Sequence, residues 1–200
     1  MSKSRNLAAL LDSSGDVVSG ALDNAGGGGG AWEVIQSQTV SSGASSVSFT
    51  TGITGYKSYV IMMNDVAPAT SNKNLWVKFA YNGGSSVETT NYRSTHHVTN
   101  TYGGTLTITM NTSNPYGVQL ASNHDSSVPG FGKLWFGDGS SQVRAEYANL
   151  QDGGKPMVAS TSGSHQSSNL KATPINQVQF YFYGSNFTSG TFTLYGIANS

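Results

Sequence analysis

The chain has 200 residues and a formal net charge of zero, because its 10 Lys and Arg balance its 10 Asp and Glu. Charged residues make up 10% of it, against about 25% in an average globular protein, and Lys and Arg nowhere cluster as phosphate binding requires, so we expect no nucleic-acid partner. It has no cysteine, which excludes disulfides and thiolate chemistry, and no apolar run near the ~20 residues of a membrane span, so we expect no membrane insertion.

The first 25 residues are predicted to form an N-terminal arm. Three of its leucines fall at positions i, i+3 and i+4, with Ser4 suitable as the N-cap, which predicts a short helix. The arm is too small to hold a core, yet apolar enough to bind another protein, and its apolar run is too short for a signal peptide, so we expect synthesis in a cytoplasm. Its candidate docking residues are Leu7, Leu10, Leu11, Val17, Val18 and Leu22.

Five consecutive glycines at 26–30 separate this arm from the rest of the chain. Such a run loses too much backbone entropy to sit inside a helix or strand, so it predicts a flexible joint. The predicted organisation is therefore a docking arm at 1–25, a glycine linker at 26–30 and one folded domain at 31–200.

After the linker, apolar and polar residues alternate with a period of two, as in strands that bury one face. The segment 56–66 is apolar on both faces and is expected to be a central strand, whereas 105–110 is expected to turn Leu106, Ile108 and Met110 inward. The predicted strands are 32–40, 47–51, 56–66, 75–81, 105–110, 118–121, 134–136, 142–147, 178–183 and 192–195.

Two hairpins are predicted, one around residues 137–140 and one around residues 184–190. In the second hairpin, Tyr181, Tyr183 and Tyr195 are expected on one face. Because no segment after residue 30 predicts a helix of three turns, the fold class is all-β, an antiparallel β-sandwich, with a jelly roll favoured over a closed barrel.

No arrangement of residues in the sequence predicts catalysis. The carboxylates are scattered singly and are expected on the solvated surface. The pair His96-His97 would point to opposite faces of a strand, and His124 and His165 lie in polar stretches, so all four histidines are expected in surface loops. No Gly-x-Ser-x-Gly motif or calcium loop occurs. We therefore predict that the chain is not an enzyme and has no catalytic residues, metal or cofactor.

Four aromatic residues are candidates for contact with a subunit or a glycan: Trp135, Tyr181, Tyr183 and Tyr195. Trp135, like Trp76, is expected to point away from its apolar neighbours. Tyr and Trp are enriched at protein interfaces, which favours a subunit contact, while burial in the chain's own core and stacking on sugar rings remain alternatives.

Two stretches carry a resemblance. The segment from Ser2 to Asn24, SKSRNLAALLDSSGDVVSGALDN, resembles an N-terminal segment that recurs in structural proteins of marine tailed bacteriophages. The segment from Phe187 to Ile197, FTSGTFTLYGI, resembles the closing strand of jelly-roll domains in phage virion proteins, where a Leu-Tyr-Gly-Ile ending is common. Neither stretch is a catalytic motif.

The resemblance implies a virion surface protein, assembled in the cytoplasm of a bacterial host. The arm would dock onto the major capsid protein or another virion protein, the sandwich would be displayed, and proteins of this kind are often homotrimers. The leading hypothesis is a capsid decoration (cement) protein or head fibre. A tail fibre or tail adaptor is the first alternative, a carbohydrate-binding module for host adhesion is the second, and a glycan-degrading enzyme ranks last.

Overall fold

A computed structural model of the chain describes residues 32–81, 86–90, 92–100, 105–137, 142–151, 154–165 and 174–197. The predicted arm, its short helix, its six docking residues and the glycine linker lie outside these residues. The described residues contain no helix, and hence none that could span a membrane.

The described residues form twelve β-strands, which confirms the all-β prediction. In chain order they are β1 (Trp32–Val40), β2 (Val47–Phe49), β3 (Ser58–Pro68), β4 (Lys73–Tyr81), β5 (Tyr92–Asn100), β6 (Thr105–Asn114), β7 (Val118–His124), β8 (Gly130–Gly137), β9 (Gln142–Gln151), β10 (Lys155–His165), β11 (Ile175–Phe182) and β12 (Phe187–Ile197).

These strands make two antiparallel sheets that pack face to face. The large sheet has the order β1-β12-β3-β8-β9-β10-β5-β6, and the small sheet has the order β2-β11-β4-β7. The sheets are joined at one corner, where His124 of β7 lies opposite Gln151 of β9.

The connections between the strands are those of a jelly roll. In a jelly roll of eight strands, one sheet holds the first, eighth, third and sixth strands and the other holds the second, seventh, fourth and fifth. If β2 is counted as the first strand, the small sheet β2-β11-β4-β7 holds the first, eighth, third and sixth strands. In the large sheet, β3, β5 and β6 are then the second, fourth and fifth strands. The meander β8-β9-β10 takes the place of the seventh strand, and β12 and β1 extend the large sheet beyond β3.

The core lies between the sheets and is rich in aromatic side chains. Phe180 of the small sheet and Phe192 of the large sheet are both fully buried, with ring centroids 5.0 Å apart, and Phe187 packs edge-on against Phe192 at 5.8 Å. The buried Tyr92 hydroxyl accepts a hydrogen bond from the Phe79 amide at 2.9 Å. Burying each large apolar side chain contributes about 1.5–3 kcal/mol, so these contacts hold the two sheets together.

The prediction of a hairpin around residues 184–190 was wrong. Strand β11 pairs with β2 and β4 in the small sheet, whereas β12 pairs with β1 and β3 in the large sheet. Alternation tells which side chains point to the core but not which sheet their strand belongs to. A hairpin within one sheet and a connection between two sheets therefore give the same pattern. In consequence Tyr181 and Tyr183 lie on the outer side of the small sheet, and Tyr195 lies on the outer face of the large sheet.

The predicted orientation of β6 was also wrong. Leu106, Ile108 and Met110 are 58%, 54% and 72% exposed, and Ile108 lies opposite His97, on the outer face of the large sheet. The eight-stranded sheet is wider than the four-stranded sheet that it covers, and β6 forms its edge. Thr107 and Thr109, on the inner face, are therefore exposed as well, and alternation no longer separates core from solvent.

Strands β5 and β10 were not predicted, and two histidines assigned to surface loops are buried. Ser94, His96 and Thr161 occupy core-facing positions in these strands and are at most 5% exposed, so no apolar alternation marks them. His124, at the end of β7, is fully buried. His165, expected in a loop, is the last residue of β10, and His97 is exposed as predicted.

The burial of His96 makes the stability of the sandwich depend on pH. Burial lowers its pKa to about 4, although a hydrogen bond with the Leu120 backbone opposes the shift. Because this folded-state pKa lies below the unfolded value of about 6.5, the unfolded chain takes up the proton first. The stabilisation is complete above pH ~6.5 and is lost as the pH falls towards ~4, by up to about 3 kcal/mol from this residue. Burial lowers the pKa of His124 too, which adds to the loss.

We expect the free energy of unfolding in urea to fall between pH 6.5 and pH 4, and His96→Leu to reduce that slope. His97→Gln is the matched control, because His97 is the exposed neighbour on the same strand. An H96L slope equal to that of the wild type would contradict the assignment of the proton uptake to His96.

Candidate functional site

Trp135 lies on the outer face of the large sheet, as its alternation predicted. It sits in β8 opposite Val60 of β3 and Arg144 of β9. The side chain is half-buried, and the Lys133 ammonium lies 4.7 Å from the centroid of its ring. Trp135 is thus neither in the core nor fully free, and part of its surface is accessible to a partner.

Tyr195 lies on the same outer face, between Val34 of β1 and Val60 of β3. Its ring centroid is 5.6 Å from that of Trp32. The next residue, Gly196, points inward, and a Cβ at this position would overlap the ring of Tyr56. The Leu-Tyr-Gly-Ile ending therefore has a structural reason: the glycine leaves room for the ring of Tyr56 beside the end of β12.

Tyr181 and Tyr183 belong to a second group of aromatic residues, the small-sheet aromatic cluster, made up of Trp76, Tyr116, Tyr181 and Tyr183. The rings of Tyr116 and Tyr183, 39% and 53% exposed, have centroids 4.6 Å apart, and Trp76 packs 5.8 Å from Tyr116. The Tyr181 hydroxyl donates a hydrogen bond to the Tyr116 carbonyl, burial raises its pKa, and Lys78 lies 5.1 Å from the centroid of its ring. Sequence reasoning missed Tyr116, which follows β6 in a turn.

On the outer face of the large sheet, a stripe of apolar side chains comes from β8, β9, β10 and β6, with Thr99 of β5 between the last two of these strands. Phe131 lies opposite Ala148, Ala148 opposite Val158, and Val158 and Leu106 lie on either side of Thr99. Phe131 and Val158 are 64% and 52% exposed. We call this set the outer-face stripe; its members are Phe131, Ala148, Val158, Leu106 and Ile108.

The outer-face stripe has the features of a protein interface. A shallow groove of about 430 Å³ runs along it between Met62, Phe131, Ala148 and Val158. Exposed apolar patches that continue over several strands mark interaction surfaces. Among the described strands β6 pairs with β5 alone, so it is an edge strand. A charged residue or a proline normally protects an edge strand from pairing with another chain, and the ten residues of β6 include neither.

The titratable groups of the described residues do not converge on a catalytic or metal site. No three His, Asp or Glu side chains among them lie close enough to hold a metal ion. Glu146 contacts Lys133 at 3.7 Å and Arg144 at 3.3 Å in partly exposed ion pairs, which contribute little to stability. The described carboxylates are exposed or half-buried, as predicted. That the chain is not an enzyme stays a prediction.

The buried His124 has a structural role. Its Nδ1 donates a hydrogen bond to the Asp125 carbonyl at 2.8 Å, and its Nε2 lies 3.1 Å from the Tyr147 hydroxyl. A Cβ on Gly130 would overlap both side chains, so they fill the space beneath the start of β8. The pair fixes the corner at which the two sheets meet.

Comparison with models of known protein families, with curated proteins and with solved structures finds no significant match in any of the three. A function for this chain therefore has to be inferred from its own residues and their geometry. Two surfaces are candidates: the outer-face stripe on the large sheet and the small-sheet aromatic cluster on the opposite side of the sandwich.

Proposed function

We propose that the chain is a structural protein of a tailed-phage virion, a capsid decoration protein or head fibre. Residues 4–24 would attach it to the major capsid protein or another virion protein, and the sandwich would be displayed. Two stretches that resemble phage virion proteins, residues 2–24 and 187–197, support this proposal. The second of them is β12, which pairs with β1 and β3 within the large sheet.

The outer-face stripe is the observation that carries the proposal. An exposed apolar surface of this kind is suited to contact with further copies of the chain, because burying it removes apolar area from water. We therefore favour a homo-oligomer, with a trimer preferred, in which the copies contact one another through this surface and are displayed together on a repetitive shell.

The energetics of the arm give a separate reason for an oligomer. Burying its six large apolar side chains yields about 9–18 kcal/mol, at about 1.5–3 kcal/mol each. Ordering some twenty residues costs about 20–40 kcal/mol of backbone entropy, so side-chain burial alone does not hold one arm on the virion. Several linked arms bind more strongly than one, because each raises the effective concentration of the next.

Electron microscopy of particles that carry a gold label at Ser200 tests the proposal. Ser200 follows Ile197, the last residue of β12, by three positions, so the label reports which part of the particle carries the sandwich. We expect labels over the head. Labels over the tail would favour the tail fibre or tail adaptor, and particles without label would overturn the virion assignment.

Carbohydrate binding for host adhesion is the second candidate function. It requires aromatic surface that a sugar ring can reach, and Tyr183, Tyr116 and Trp135 all keep part of their surface exposed. Aromatic side chains offer a large apolar area beside polar groups, which suits a ring that is apolar on one side and carries hydroxyls around it.

A further inference from the structure

Strand β6 is an unprotected edge of the large sheet. The strand at the opposite edge, β1, carries the charge of Glu33, and its register with β12 shifts between Val34 and Gln36. The edge strand β2 of the small sheet has only three residues. Charge, irregular register and shortness each discourage an edge strand from pairing with another chain. In contrast, β6 keeps a regular register with β5 over residues 105–111 and has none of these protections.

Side chains on both faces of β6 are exposed. On the outer face, Leu106, Ile108 and Met110 are 58%, 54% and 72% exposed, and on the inner face Thr107 and Thr109 are exposed as well. Because β6 pairs with β5 alone among the described strands, alternate residues along it direct their backbone N–H and C=O groups away from the sheet. An extended strand from another chain could therefore continue the sheet at this edge.

The residues of β6 are complementary to those of a second copy of β6. Two copies can pair antiparallel about a two-fold axis that passes through Ile108 at right angles to the sheet. Leu106 then lies opposite Met110 of the second copy, Ile108 opposite Ile108, and Thr107 opposite Thr109. Apolar side chains meet on the outer face and threonines meet on the inner face, and both kinds of cross-strand pair are favourable.

A shift of the axis removes this match. With the axis at Thr107, Met110 would lie opposite Gly104, and with the axis at Thr109, Leu106 would lie opposite Thr112. The register that pairs every apolar residue of β6 with another apolar residue is therefore the one centred on Ile108. This complementarity favours a second copy of the chain as the partner of β6.

We propose that two copies of this chain pair edge to edge through β6 in this register, so that their large sheets form one continuous sheet. The contact goes beyond the proposed function and does not depend on it. It differs from an oligomer held by the outer-face stripe, which covers the face of the sheet and leaves its edge free. Because a single strand pair makes a narrow interface, we expect weak association between free copies and stronger association between copies held close together.

Disulfide trapping tests the proposal, because the chain contains no cysteine. In the full chain, Ile108→Cys places two cysteines directly opposite each other, with Cα atoms about 4.5–5.5 Å apart, a distance that a disulfide spans. We expect covalent dimers on a non-reducing gel after mild oxidation. Thr39→Cys is the matched control, since Thr39 is exposed in the edge strand β1. Dimers of I108C should form about tenfold faster or more, and equal rates would overturn the pairing.

A mixture of two variants tests the register. Leu106→Cys and Met110→Cys should form a disulfide with each other, because these positions lie opposite each other across the two-fold axis. Each variant alone should dimerise slowly, since two copies of the same position would lie about 13 Å apart along the strands. Dimers of L106C alone that form as fast as those of the mixture would overturn the register centred on Ile108.

Adding Phe131→Asp and Val158→Asp to I108C separates the edge contact from the outer-face stripe. Covalent dimers should still form, because neither residue belongs to β6. Loss of the dimers in this background would assign the contact to the face of the sheet and overturn the edge pairing.

Hydrogen exchange of the same triple variant tests whether another segment of the chain occupies the edge instead. The β6 amides that point away from β5 should exchange rapidly in the reduced protein and slowly in the oxidised dimer. Slow exchange of these amides in the reduced, monomeric protein would mean that a segment such as the arm lies along β6, and would overturn the choice of a second copy as the partner.

Discussion

Deletion of residues 1–25 should give a chain that folds and unfolds cooperatively but no longer joins the virion. Among the described residues the core is built from residues 47–194, and we expect it to form without the arm. The arm supplies six large apolar side chains whose burial on the virion would be lost. Thermal unfolding of the purified truncated chain and gel analysis of purified particles would measure the two halves of this prediction.

Paired substitutions within the arm provide the control. Leu10→Asp with Leu11→Asp should lower incorporation strongly, whereas Ser13→Asp with Ser14→Asp adds the same charge to neighbouring polar positions and should have a small effect. Incorporation of the truncated chain at the wild-type level would refute the docking role. A truncated chain that does not fold would place the arm in the core instead.

Phe131→Asp together with Val158→Asp should convert an oligomer into monomers. Both side chains belong to the outer-face stripe and are more than half exposed in the single chain, so the carboxylates cost the monomer little. Inside an interface each would be an unpaired buried charge, which weakens association by a factor of about 100 or more. Light scattering during size-exclusion chromatography measures the mass of each variant.

Tyr183→Asp is the matched control, because it places the same charge at an exposed aromatic position on the other sheet. We expect it to keep the oligomeric mass of the wild type. The assignment fails if the wild-type chain is monomeric at concentrations of tens of micromolar, or if the double variant keeps the oligomeric mass.

Alternation in the sequence predicted most of the fold because most strands bury one apolar face. The central position of β3 followed from consecutive apolar residues such as Val60 and Ile61. The hairpin of β8 and β9 followed from the turn residues after Phe136. Strands β5 and β10 could not be predicted in this way. Their core-facing positions include Ser94, His96 and Thr161, so no apolar alternation marks them. The Thr161 hydroxyl is paired within the core, because it donates a hydrogen bond to the Gln119 carbonyl.

The surfaces were harder to predict than the strands. The orientation of Trp135 followed from its neighbours in β8, but the groove of about 790 Å³ that it lines is assembled from seven strands that are far apart in the sequence. The outer-face stripe was hidden because Ile108 and its apolar neighbours in β6 looked like core residues. The absence of any charge from β6 was a usable signal, since a strand that ends a sheet without a partner normally carries one.

The adjacency of Trp32 and Ile197 has a practical consequence for protein engineering. Both ends of the described sandwich leave from one corner, so peptides fused directly before Trp32 and after Ile197 would start side by side. The turn at 41–43 closes the opposite end of β1, about 26 Å away at about 3.3 Å per residue, and the space around Gly43 is open. A foreign epitope meant to stand apart from both ends of the sandwich therefore belongs in that turn.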